Sequence, residues 1–345
     1  MKIFSKICSL CALTMFLTIA PTFVGAASKN SLTETPKTNI EFKLHPTLGT
    51  DKVSVKNNAL RAHKDAIEII NQYYQEKGIT LTTNLDDPEY QMRVMMLGTA
   101  MDEFSKKEFK EIAKFVKFMD RYENYGKNEK IAKLKVKNDK GQLTTEEKIE
   151  LEELLPVEID KVTEEDRPTF STMTVFANGY DQIAARDYAR KWTSNSSTLR
   201  NNTQFGYYST KNGCYSCWND CTNFVSQALM AGGMRQLGYD QTWYYSSSGP
   251  SYSWGGANNF YKHWKYRATV AGSYSALRTG DVVSANFDGD SDIDHTAMIT
   301  YNSSDSASGK WLTQHTSDKE ELTTVQSWLN SGYKVIGYEM DKASN

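Results

Sequence analysis

Asn219-Asp220-Cys221-Thr222-Asn223-Phe224-Val225-Ser226-Gln227-Ala228-Leu229-Met230-Ala231, closed by Gly232-Gly233, reads as a short helix with a cysteine in its first turn. Phe224, Val225, Ala228 and Leu229 recur at helical spacing and predict one apolar face. Asn219 and Asp220 can accept from the free N–H groups of a first turn, and the glycine pair is a helix stop. Cys221 then stands at the positive end of the helix dipole, where thiolate is favoured over thiol. A cysteine on a partly apolar helix is also what a small packed residue or half of a disulfide looks like. What separates these readings is whether the chain supplies a base and a group to orient it.

The N-terminus sets the expected compartment. Lys2 and Lys6 precede an apolar run from Ile7 to Ala20, and Val24-Gly25-Ala26-Ala27 offers small residues at cleavage spacing. This predicts a signal peptide over residues 1–26, too short and wrongly flanked for a membrane anchor. Cys8 and Cys11 leave with it. Cleavage after Ala26 leaves 319 of the 345 residues, enough for two domains, with 38 basic side chains of the original 40 against 42 acidic. That mild acidity gives no basis for a nucleic-acid partner. No later stretch is apolar enough to span a bilayer, so a secreted protein is expected, extracellular or associated with the cell wall, without a stable membrane anchor.

Residues 27–155 read as a helical N-terminal region. Leu60, Ala66, Ile67, Ile70, Tyr73 and Tyr74 form one helical face stopped at Gly78. A second, longer helix opens at Asp87-Pro88, with a stripe through Tyr90, Val94, Leu97, Met101, Phe104, Ile112, Phe115, Met119 and Tyr122. Lys127 to Gly141 reads as a charged connection, and Thr144 with Glu147 as a capping box for a short helix before Pro156. Residues 156–172 form the expected linker. Beyond it Trp, Tyr, Ser and Gly rise, charge falls, and a second domain is expected over 173–345.

That domain opens with a helix over Tyr180 to Trp192, its inner face expected at Ile183, Ala184, Asp187-Tyr188 and Trp192. The aromatic segment from Trp243 to Trp264 suits a glycan or peptide groove and a small core equally. Strands are expected at Gly280-Asp281-Val282-Val283, at Asp294 to Tyr301 and at Trp311 to Thr316. His295 heads the second of these and Gln314-His315 lie in the third. A cysteine at a helix start, a histidine on a strand and a polar residue on the next strand are the pieces of a papain-like site. Alternation along a strand lets only one of Gln314 and His315 face the His295 ring.

These residues resemble the putative amidase domain of secreted bacterial proteins. The matching pieces are Tyr180-Asp181, Ala184-Ala185-Arg186-Asp187-Tyr188-Ala189, Asp220 to Gln227 and Ala231-Gly232-Gly233. Ser253-Trp254, Gly280-Asp281-Val282-Val283, His295-Thr296-Ala297 and Gln314-His315-Thr316 follow in order. The family is similar to the NlpC-type and CHAP-type branch of papain-like hydrolases. The resemblance implies an α+β fold with the cysteine helix packed on an antiparallel sheet, Cys221 as nucleophile and His295 as general base. Similarity to NlpC-type sites favours His315 as the group that orients His295, with Gln314 the alternative.

The chemistry so expected is amide hydrolysis through a thioester, on peptidoglycan. The alternatives are a secreted peptidase or peptide amidase acting on free peptides, and a wall-binding protein that has lost activity. No cofactor is expected. Cys214 and Cys217, two residues apart in an exported chain, are expected to form a disulfide that leaves Cys221 free. Asp288-Gly289-Asp290-Ser291-Asp292-Ile293-Asp294 resembles part of a calcium loop, with Asp288, Asp290 and Asp292 as candidate ligands. Its glycine comes early, however, and Ile299 stands where a bidentate glutamate belongs, which favours a solvated acidic turn.

Overall fold

Helix caps divide the helical half. The computed structural model describes residues 42–156, 178–196, 200–206, 220–238, 243–246 and 250–345. The expected signal peptide, Cys214 and Cys217, and residues 157–172 of the expected linker lie outside the described residues. Where one helix was expected first, there are two, α1 (Lys52–Ala62) and α2 (Lys64–Glu76), separated at His63. The His63 ring packs against Phe115 and Phe118, at centroid distances of 5.2 and 5.3 Å. The long helix expected from Pro88 is likewise broken. α3 (Pro88–Met96) ends in a 3-10 turn, Leu97–Thr99, and α4 (Lys106–Asp139) starts afresh from a Ser105/Glu108 capping box. The charged segment from Lys127 onward continues α4 rather than connecting, because Ile131 and Leu134 keep one side buried. α5 (Thr145–Leu154) begins at the expected Thr144/Glu147 box.

The second half holds α6 (Gln182–Lys191), α7 (Cys221–Ala231), α8 (Tyr252–Gly255), α9 (Ala257–Arg267) and α10 (Val325–Asn330). Its strands are β1 (Thr269–Val270), β2 (Val282–Asn286), β3 (His295–Asn302), β4 (Lys310–Gln314), β5 (Lys319–Thr324) and β6 (Lys334–Glu339). They form one antiparallel sheet in the order β1-β6-β2-β3-β4-β5.

Both faces of this sheet are covered, and strand alternation sorts the side chains between them. Val283, Ala285, Ala297, Ile299 and Leu312 enter a cluster with Ile70, Val94, Phe115 and Met119 of the helical half. Val282, Met298 and Tyr338 enter another with Phe224, Val225 and Leu229 of α7 and with Trp254, Phe260 and Trp264. Helices on two sides of an antiparallel sheet are the expected α+β class. Within the aromatic segment, Trp243, Trp254 and Trp264 are fully buried and belong to the core. In α6 the buried face is Ala185 and Ala189, and Ile183, expected inside, is exposed.

Three of the quoted motif pieces meet where α6 begins. Asp181 N–H donates to Gly232 O at 2.7 Å, and Tyr180 O–H donates to Gly280 O at 2.7 Å. A Cβ on Gly232 would lie 2.5 Å from the Tyr180 ring, and one on Gly280 2.7 Å from Gln182 Cβ. These glycines permit close packing of α6 on α7 and β2.

Candidate active site

α7 is buried at every residue from Cys221 to Leu229. Its polar side chains therefore need partners, and the neighbouring elements supply them. Thr222 Oγ1 donates to Thr296 Oγ1 (3.2 Å) on β3. Asn223 donates to Gly206 O (2.8 Å) and accepts from Trp254 Nε1 (2.9 Å). Ser226 accepts from Trp243 Nε1 (3.0 Å) and donates to Trp254 O (2.8 Å). Gln227 accepts from Tyr188 O–H (2.9 Å). These residues of the motif are thus explained as scaffold. Cys221 is not.

Asp220 departs from the expected cap. Its backbone is helical (φ −74°, ψ −2°) and its side chain makes no capping bond. The carboxylate instead accepts from the Asn223 amide and from His315 Nδ1, both at 2.7 Å. His315 Nε2 lies 2.6 Å from Trp192 O, and the ring stacks on Phe224 at 3.9 Å between centroids. A carboxylate and a carbonyl are both acceptors, so both ring nitrogens donate and His315 is an imidazolium. Burial alone would lower its pKa, but Asp318, Asp220 and the Trp192 carbonyl outweigh burial and raise it.

His295 leaves β3 on the other face. Its ring stands edge-on to Trp328 at 5.5 Å and beside Phe287 at 6.4 Å. Met298 and Thr313 are register partners facing α7, so Gln314 takes the far face and His315 returns to the near one. The expectation that His315 orients His295 is therefore corrected: Gln314 is the neighbour on its side. Gln314 Nε2 is held by Thr99 Oγ1 (2.8 Å), and His295 Nε2 and Gln314 Oε1 each lack a well-aligned partner. Burial pulls the His295 imidazole down to about 4, against the opposing pull of the Gln314 amide. The ring is neutral near pH 7.

Cys221 Sγ sits 3.6 Å from Thr222 Oγ1, with the backbone N–H of Thr296 directed at it. Burial pushes the thiol up to about 11; Thr222 and Thr296 pull it down and Asp220 raises it further. The thiolate expected from the helix dipole is thus overridden by desolvation. Cys221 meets β3 at the backbone N–H of Thr296, the residue next to His295, and among the described residues no hydrogen bond links the thiol to the His295 ring. Iodoacetamide should accordingly label Cys221 at least about tenfold more slowly in native than in urea-unfolded protein near pH 8, the native rate climbing toward pH 11. Mass-detected labelling over a pH series checks this; a native rate equal to the unfolded one contradicts it.

The acidic loop between β2 and β3 is not a solvated turn. Asp292 is 5% exposed, and Asp288, Asp290 and Asp292 gather against Asp120 and Asn124 of α4. Asp120 had no place among the expected site residues. Its signal in the sequence was a carboxylate one turn before Asn124 inside an apolar stripe.

Residues 179–338 match the model of a family described as "putative amidase domain". The uncharacterized protein YhbB of Bacillus subtilis (strain 168) is 30% identical over 145 residues, covering 39% of this chain and 40% of the relative. The uncharacterized protein YjcM of the same organism is 31% identical over 163 residues, covering 41% of this chain and 35% of the relative. The chain thus spans less than half the length of either. No solved structure matches it.

Proposed function

From a region that matches a putative amidase domain, we propose a secreted, cysteine-dependent hydrolase that cleaves amide bonds in peptidoglycan. The family match supports amide hydrolysis. The observation that carries the cysteine is its position, first residue of a buried helix whose other quoted polar residues all serve as scaffold. Cys221 Sγ attacks the amide carbon while its proton passes to neutral His295. The imidazolium returns that proton to the leaving nitrogen as the C–N bond breaks. Water, deprotonated by His295, then hydrolyses the thioester to a carboxylic acid and restores the thiol. The Cys221 backbone N–H, in the first turn of the helix, donates to the oxyanion.

Both reacting groups are neutral, so the proton passes from thiol to imidazole as Sγ attacks. Gln314, on the same face of the sheet as the His295 ring, serves as the orienting group. Gln314→Ala should lower kcat about tenfold or more while leaving activity well above that of Cys221→Ala. Steady-state kinetics of the two variants decide, and an unchanged kcat removes Gln314 from the site.

The full burial of the Cys221 thiol, which holds it protonated, favours a second reading, a wall-binding protein without turnover. Purified protein on isolated peptidoglycan, with free amines and fragments measured by mass, tests the two. New amino groups released by the wild type support the hydrolase. Retention on the wall without release supports the binder, and release from free peptides alone moves the substrate to soluble peptides.

A further inference from the structure

Five carboxylates converge where the β2–β3 loop meets α4: Asp288, Asp290, Asp292 and Asp294 from the loop and Asp120 from the helix. Ligand atoms of Asp120, Asp288 and Asp290 lie within 4.8 Å of one another, as do those of Asp120, Asp292 and Asp294. Arg121 pairs with Asp288 and Lys127 with Asp292, which leaves an excess of negative charge around Asp120. Asp120 is fully buried, and among the described residues no donor reaches either of its carboxylate oxygens. Asp292 Oδ1 and Asn124 Oδ1 are also buried without a partner. An orphaned buried carboxylate is costly, and Asp120, unpartnered with other carboxylates gathered around it, calls for a ligand that accepts oxygen lone pairs.

We infer that this cluster is a calcium site, with Asp120, Asp288, Asp290 and Asp292 supplying the oxygens. The donors are anionic oxygens, as a hard cation requires, and they come from a loop and a helix rather than from a rigid octahedral cage. The glutamate missing from the linear pattern is replaced by Asp120, which approaches from α4. The ion would fasten α4 to the loop that leads into His295.

Calorimetry and thermal melting of the EDTA-treated, dialysed full chain test this, with calcium chloride and magnesium chloride as the two probes. Calcium should give saturable one-site heat and raise the melting temperature by about 5 °C or more, magnesium distinctly less. Asp120→Asn should lose both responses, while its metal-free melting temperature stays level or rises because a repelling carboxylate is gone. Should that variant not fold, Asp292→Asn should weaken calcium binding about tenfold or more. The inference is overturned if the wild type shows neither heat nor a melting shift, which would mean a proton shared by Asp120 and Asp294 neutralises the cluster. It is equally overturned if Asp120→Asn, or Asp292→Asn in its stead, keeps the full calcium response.

Discussion

Cys221→Ala should reduce amide hydrolysis by about 10⁴-fold or more, to the background of the assay, without unfolding the protein. No other chemistry-bearing side chain in the matched helix lacks a structural job. Asn223, Ser226 and Gln227 are tied to Trp254, Trp243 and Tyr188, and Thr222 to Thr296. Losing one sulfur from a packed position costs about 1 kcal/mol, a shift of only a few degrees in melting temperature. Activity and stability should therefore separate cleanly. Kinetics beside a melting curve check this, and a variant that stays folded and active removes Cys221 as nucleophile.

His315→Ala should cost about 3–5 kcal/mol of stability, because it removes the positive charge paired with the buried Asp220 carboxylate. It also removes the ring stacked on Phe224 at 3.9 Å. Asp220→Asn should be costly too, and the double variant should cost less than the two single losses added together, since the pair acts as a unit. The pH dependence has a definite sign. His315's pKa is raised in the fold, so the pair's contribution is complete below the unfolded value near 6.5 and is lost as pH rises through the folded value. Urea melts at pH 6 and pH 9 should show the gap between wild type and His315→Ala widest at the lower pH. A gap under about 1 kcal/mol at pH 6 contradicts a buried ion pair.

Local signals were the legible ones. The Thr144/Glu147 box, the glycine stop after Ala231 and the strands around Val282, His295 and Leu312 stand where residue chemistry placed them. Which way the strands face was not legible. A sheet covered on both sides buries all of β2 and the first six residues of β3, so no polar-apolar alternation distinguishes one face from the other. That is why the sequence shows Gln314 and His315 diverging without showing which of them shares the face of His295. The continuous apolar stripe from Tyr90 to Tyr122 masked the restart at Ser105, although Ser105 and Glu108 have capping-box spacing. The protonation state of the thiol is hidden from the sequence for a different reason. Helix position is visible in sequence, but full burial of Cys221 is not, and burial has the larger effect.

The thioester at Cys221 is the central claim, and trapping it is the most direct measurement. The full chain is mixed with a peptidoglycan-derived peptide, quenched in acid within the first turnover, and mapped by mass. The account predicts an acyl adduct on the peptide containing Cys221, released by hydroxylamine and absent from Cys221→Ala. Turnover of the same peptide by Cys221→Ala at the wild-type rate would contradict it.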